Sequence, residues 1–298
     1  MKRCVLFILS LFVVLPVSAQ ESGNRIYGNN GYYQQKRQML ANTGMLGNSN
    51  EGYAIEARVL TNVKPDAFVV VFGVNDEGPN AASSNEKVNS KVNNLIQKIR
   101  PLGIDSSDVF IDFITQNRVY DFTVSGTQAT ENFTGFETKK TVAIRYKNRE
   151  LFERIVSAAT ESRIFDLIKV DYIVSDFDSV RAGLFDAAAK VVKSKEQRYA
   201  NALGVSLNVV GLSIERYDVT YPAEAYQRYQ AFETGDASVD NEKGPSSRVE
   251  KRKSFSFFYE PFEGGSFDSV LAPIGLEPMV QFWIYLRMQY QVKRSSLN

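Results

Sequence analysis

Between Val280 and Val292 every second residue is apolar: Val280, Phe282, Ile284, Leu286, Met288, Tyr290 and Val292. A run of this length with period two fits an extended strand with one buried face, because successive side chains of a strand point to opposite sides of the sheet. Gln281, Arg287, Gln289 and Gln291 occupy most of the other face. Trp283 and Tyr285 share that second face beside Arg287, which is the composition of a protein interface. Trp283, Tyr285 and Arg287 are therefore the candidate interface residues, with burial under a helix as the competing reading. An outer-membrane barrel strand would alternate in the same way. Barrels do not carry three amphipathic helical segments, however, and this chain does.

The remaining segments supply a sheet and those helices. Tyr53, Ile55, Ala57 and Val59 alternate with polar residues, Lys64-Pro65-Asp66 forms a turn, and Phe68 to Val74 reads as a central strand. Val88, Val92, Leu95 and Ile99 recur at helical spacing until Pro101 and Gly103 stop the helix. Val109, Ile111 and Phe113 alternate next, and a polar excursion around Gly126–Asn132 leads to a strand through Val142, Ile144 and Tyr146. Asn148 is the predicted N-cap of a helix carrying Leu151, Phe152, Ile155, Val156 and Ala159. A short strand from Ile168 to Val174 precedes a long helix that starts at Asp176 and ends near Leu203-Gly204. Val205 to Ile214 resumes as strand. The order predicts an α+β fold: a largely antiparallel β-sheet with three main helices packed on one face.

The chain opens Met1-Lys2-Arg3, continues with an apolar run from Val5 to Val17, and reaches Val17-Ser18-Ala19 before Gln20. A basic start, a short apolar stretch and small residues at the cleavage point predict a signal peptide over 1–19, cut after Ala19. The run is broken by Ser10 and Pro16 and is shorter than the roughly 20 residues of a spanning helix, so no integral membrane span is expected after cleavage, with a retained membrane anchor as the alternative reading. Residues 20–51 read as a flexible Gly/Asn/Gln-rich lead-in, 52–293 as one domain with a long exposed loop at 233–253, and 294–298 as a tail.

Composition then narrows the chemistry. The sequence has no histidine and one cysteine, Cys4, inside the signal segment. A mature chain from Gln20 would lack imidazole bases, thiol nucleophiles, disulfides and most zinc or iron sites. Removing Lys2 and Arg3 from 35 basic residues leaves 33 against 34 acidic, which is not the basic footprint of nucleic-acid binding.

Several ordered blocks carry a resemblance. They are Val63-Lys64-Pro65-Asp66-Ala67, Leu102-Gly103-Ile104 followed by Asp108-Val109, and Gly135-Phe136. Ala202-Leu203-Gly204-Val205 and Glu277-Pro278 complete the set. Their order and spacing resemble the SIMPL-domain family over about residues 52–292. The resemblance implies an α+β fold, export to the periplasm or the outer-membrane-associated space, large homo-oligomers and a link to oxidative or envelope stress. It implies no catalytic residue set. The lead-in and the 233–253 loop depart from the family pattern.

Other clusters have ordinary readings. Asp166, Asp171, Asp176 and Asp178 could hold calcium or form an acid/base pair, but Asp171 falls in a strand and Asp176 at a helix start. Arg248, Lys251, Arg252 and Lys253 form a basic run interrupted by Glu250, which suits a solvated loop. Ser84-Asn85-Glu86-Lys87 has Ser-x-x-Lys spacing on a polar helical turn, and Gly264-Gly265 fits a turn between strands. Asn132-Phe133-Thr134 fits a glycosylation sequon.

No catalytic, cofactor or metal residues are assigned. The expected function is that of an exported, non-enzymatic cell-envelope protein acting by self-assembly as a homo-oligomer or by binding an envelope protein partner. A small-ligand binding module and a carboxylate/Lys-based periplasmic hydrolase are the alternatives.

Overall fold

The computed structural model describes Gln35, Lys36, Gln38 and residues 53–125, 128–229, 256–273 and 275–293. Residues 1–19, where a signal peptide is expected, nearly all of the expected lead-in, the expected 233–253 loop with its basic run, and residues 294–298 lie outside the described residues. The elements in chain order are β1 (Tyr53–Val63), β2 (Ala67–Gly78), α1 (Ala81–Ile99), β3 (Val109–Ser125), β4 (Gln128–Tyr146) and α2 (Leu151–Glu161). These are followed by β5 (Asp166–Ile173), α3 (Phe177–Leu203), β6 (Ser206–Thr220) and a single turn α4 (Pro222–Ala225). The last are β7 (Tyr226–Tyr229), β8 (Ser256–Tyr259), β9 (Ser269–Val270) and β10 (Val280–Lys293).

The fold is α+β with three main helices and predominantly antiparallel strands, as the sequence indicates. The strands divide between two four-stranded sheets, ordered β6-β10-β1-β9 and β3-β4-β2-β5, with β7 and β8 as a separate ribbon. The short turn at Lys64-Pro65-Asp66 passes the chain from one sheet to the other. Asp66 N–H donates to the Ile173 carbonyl at 2.7 Å, and its carboxylate accepts from Ser175 N–H at 2.6 Å. Alternation shows which face of a strand is buried but not which strand lies beside it, so the one sheet expected from the sequence is two, with β1 and β2 in different sheets.

Each sheet has its own helical cover. The helix α1 packs on β2 and β4 with α2 against it, and Val88, Val92, Leu95 and Ile99 meet Val70, Phe72, Val142 and Ile144 in one core. The helix α3 packs on β1 and β10, where Leu184, Ala188 and Val192 meet Ala57, Val59, Phe282 and Ile284. Tyr172 packs against both clusters. Burying each of the larger side chains contributes about 1.5–3 kcal/mol.

The caps follow the sequence with one exception. Asp176 caps α3 by accepting from Ser179 N–H at 3.0 Å, and Gly204 ends it in the left-handed region (φ 62°). Asn148 does not occupy the N-cap position of α2, which is Glu150. Asn148 instead forms a turn two residues upstream, its Oδ1 accepting from Glu150 N–H at 2.9 Å and its carbonyl from Leu151 N–H at 3.0 Å. Asparagine stabilises such turns and helix caps through the same local bond, so sequence alone does not separate them.

Lys36 is the described part of the lead-in that packs on the domain. Its ammonium is 4% exposed, 3.0 Å from Glu224 and 3.3 Å from Asp218, and it donates to the Val219 carbonyl at 2.8 Å.

Candidate functional site

The strongest candidate is the outer half of the β3–β4 hairpin. Where a polar excursion was expected around Gly126–Asn132, the ladder continues to Ser125↔Gln128, and β3 and β4 run to 17 and 19 residues. Beyond Val119 and Gly135 every described residue of both strands is exposed, so this part forms an arm projecting from the domain. Its period-two pattern places Tyr120, Phe122, Val124, Ala129 and Phe133 on one face with Glu131. The other face holds Asp121↔Asn132, Thr123↔Thr130 and Ser125↔Gln128, all polar. Phe122 is 62% exposed and Val124 70%. Directly opposed side chains on one face lie close enough to interact, and here they form an aromatic line. Tyr120 and Phe133 meet edge to face at 5.7 Å, and Phe133 meets Phe136 at 5.5 Å. The polar face is braced by Asn132 Nδ2 donating to Thr123 Oγ1 at 2.8 Å.

Two features aim the arm. Thr134 is left out of the ladder as a bulge between Val119↔Gly135 and Tyr120↔Phe133, and its hydroxyl donates to the Val119 carbonyl at 3.1 Å. A bulge increases local twist and redirects a ribbon. At Gly135 the backbone lies against the Gly78 carbonyl oxygen, where a Cβ would collide.

The exposure expected of Trp283 and Tyr285 is corrected by the structure. They are 4% and 9% exposed, packed with Leu60, Ala225 and Phe262 beneath Tyr259, Phe267 and Val270. The covering is the chain's own segment around β8 and β9, with Ala225 of α4, and not one of the three main helices. Arg287 lies beside them, half-buried, with Nε 3.9 Å from Glu56 Oε1.

Tyr285 donates its hydroxyl to Glu56 at 2.5 Å. Burial first, then the bond to Glu56 and its charge, push the phenol up to about 12 against the opposing pull of Arg287 and Arg58. Tyr290, buried and 3.3 Å from Glu196, is likewise pushed up to about 12. Both phenols hold their protons more tightly folded than unfolded. Their contribution is therefore intact below the unfolded phenol value of about 10 and lost as pH rises from about 10 to about 12. A Tyr285→Phe, Tyr290→Phe variant should lose less stability across that window than the parent in urea unfolding. An equal loss would refute the assignment.

The remaining expected sites stay apart. Asp171 pairs with Lys169 at 2.8 Å, and Asp176 is the α3 cap. Among the described residues there is no grouping of three or more metal-ligating side chains. Ser84 Oγ is buried against Thr138 Oγ1 at 2.7 Å, while Lys87 Nζ turns away to the Glu77 carbonyl at 2.8 Å. Gly264-Gly265 lies in a turn between β8 and β9. A cavity of about 260 Å³ lies between β5 and α4, lined by Val170, Asp171, Tyr172, Tyr221 and Ala223. No helix among the described residues is long and apolar enough to cross a membrane.

Fold and arm together define an α+β protein with helix-covered antiparallel sheets and an exposed two-faced hairpin. The family model for SIMPL, a protein of unknown function (DUF541), matches residues 55–254, and the chain belongs to the SIMPL family. No curated protein matches the chain. The matched span ends before β10, the strand that pairs with both β1 and β6.

Proposed function

We propose that this protein is an exported, non-enzymatic cell-envelope factor that acts by self-assembly, with the β3–β4 arm as its contact. The observation that carries this reading is the arm's uncovered apolar face at Tyr120, Phe122, Val124 and Phe133. Contiguous exposed apolar surface with a polar opposite face is characteristic of an interaction site. Three half-exposed rings and a valine supply part of the roughly 800 Å² per partner of a stable interface. A second copy supplies the same face, which permits symmetric pairing.

Export rests on the expected signal segment, and mass spectrometry should find the envelope form starting at Gln20. With no histidine and its one cysteine at Cys4, any protection against oxidative stress would operate through binding and not through thiol chemistry.

Light scattering on the purified mature chain tests the reading. A Phe122→Asp, Phe133→Asp variant should become monomeric while the domain stays folded, because both positions are exposed on the arm, outside the core. A parent that is itself monomeric at micromolar concentration, or a variant that stays assembled, would overturn it.

A further inference from the structure

We propose that Asp218, Val219, Thr220 and Glu224 form a site for one primary ammonium group, and that Lys36 is its resident ligand, latching the segment before β1 to the cover of Trp283. The Lys36 ammonium donates to the Val219 carbonyl at 2.8 Å and lies 3.0 Å from Glu224, 3.3 Å from Asp218 and 3.4 Å from Thr220 Oγ1. Both carboxylates are held in place by backbone donors. Asp218 Oδ1 accepts from Val219 N–H at 2.7 Å, and Glu224 Oε1 accepts from Tyr221 N–H at 3.1 Å. Lys36 is buried while Gln35 and Gln38 are exposed, so of these three side chains it alone enters the domain.

The ligand class follows from the occupant and from the shape of the site. An ammonium carries three N–H donors on one small atom, which suits acceptors converging from several directions. A guanidinium presents its donors in a plane and a quaternary ammonium has none, so neither satisfies the same acceptors. A buried lysine charge is tolerated only where carboxylates and hydrogen bonds compensate it, as they do here. The chain is long enough to supply the ligand itself. Tyr53 follows seventeen residues after Lys36, a reach of roughly 55–60 Å when extended. The site lies beside Gln281 and Phe282 of β10, and Tyr53 is opposite Tyr290, about 27 Å further along that strand.

The latch joins two elements that meet at the cover of Trp283. Asp218 on β6 is directly opposite Trp283 on β10. Glu224 belongs to α4, whose Ala225 packs in the cluster with Trp283, Leu60 and Phe262. Lys36 thus ties α4 to β6 at the edge of that cluster. Two carboxylates within 3.3 Å of one nitrogen repel each other once it leaves, which favours lifting of α4. Trp283 is the only tryptophan, so its accessibility reports whether the latch is closed. A tethered ligand acts at an effective concentration in about the millimolar range, which a free amine must exceed to displace it.

Lys36→Met in the full chain should lower the melting temperature by roughly 4 °C or more and make Trp283 more accessible to acrylamide quenching. Added n-butylammonium should reverse both changes saturably, and tetramethylammonium at the same ionic strength should not. The parent, whose site is filled, should respond far less to butylammonium. Glu224→Gln gives a second measurement that stands even if Lys36→Met fails to fold, because the Glu224 side chain is 28% exposed. It should raise Trp283 quenching by itself, and its loss of stability should not add to that of Lys36→Met, as expected for two partners in one contact. Absence of rescue, equal rescue by tetramethylammonium, additive losses, or unchanged quenching in Glu224→Gln overturns the site. The Lys36 variant should keep the oligomeric state of the parent, which separates this result from that of the arm. A fall in that state would mean that a neighbouring copy supplies the lysine, and would overturn a latch within one chain.

Discussion

Trp283→Arg should unfold the chain or bring it close to unfolding, with a loss of about 3–5 kcal/mol in urea denaturation followed by circular dichroism. Trp283 lies against Leu60, Ala225 and Phe262 with 4% of its surface exposed. An arginine there would bring a charge into an apolar cluster without a matching carboxylate, since the nearest on its row, Asp218, already holds Lys36. A whole domain has only about 5–15 kcal/mol of net stability, so this one change removes a large part of it. Trp283→Phe should be much milder, about 1–2 kcal/mol, because the indole N–H that it deletes makes no hydrogen bond. Equal losses in the two variants would contradict this account. As Trp283 is the only tryptophan, its fluorescence reports the same site in the parent, blue-shifted when folded and red-shifted in urea.

Gly135→Val is expected to be the most damaging glycine substitution, costing about 2–4 kcal/mol. At Gly135 the arm leaves the domain with its backbone pressed on the Gly78 carbonyl, so a side chain must push β4 away from the end of β2. Gly103→Val is the control. Gly103 also has positive φ, 80°, but a Cβ there meets nothing within 4 Å, so only the conformational cost of about 1–2 kcal/mol remains. Gly135→Val should additionally shift the oligomeric state by redirecting the arm, while Gly103→Val leaves it alone. Matching melting temperatures and matching assembly in the two variants would show that the close approach at Gly135 has no consequence.

Much of the fold was legible because burial imposes period. The alternation from Val280 to Val292 became β10, and the helical spacing of Val88, Val92, Leu95 and Ile99 became the core face of α1. Asp176 and Gly204 marked the ends of α3 through a side-chain cap and a left-handed residue, both local effects. The candidate site was far less legible. The arm's residues between Gly126 and Asn132 are mostly polar, and their pairing as a ribbon is favoured by cross-strand contacts rather than by burial, so hydropathy gave little sign of it.

Trp283 shows the same limit from the other side. Its neighbours placed it on the second face of β10, which was right, but exposure depends on what else folds over that face. The cover comes from Tyr259 to Val270, short strands and turns with little periodic signal. The sequence by itself determined the apolar faces of β10, α1 and α3 and the two ends of α3. These follow from side-chain spacing and local backbone bonds within a few residues. Only the tertiary structure decided which strands share a sheet, that a hairpin arm stands clear of the domain, and that Trp283 and Tyr285 are covered. Those depend on contacts between residues far apart in the chain, which a local pattern does not encode.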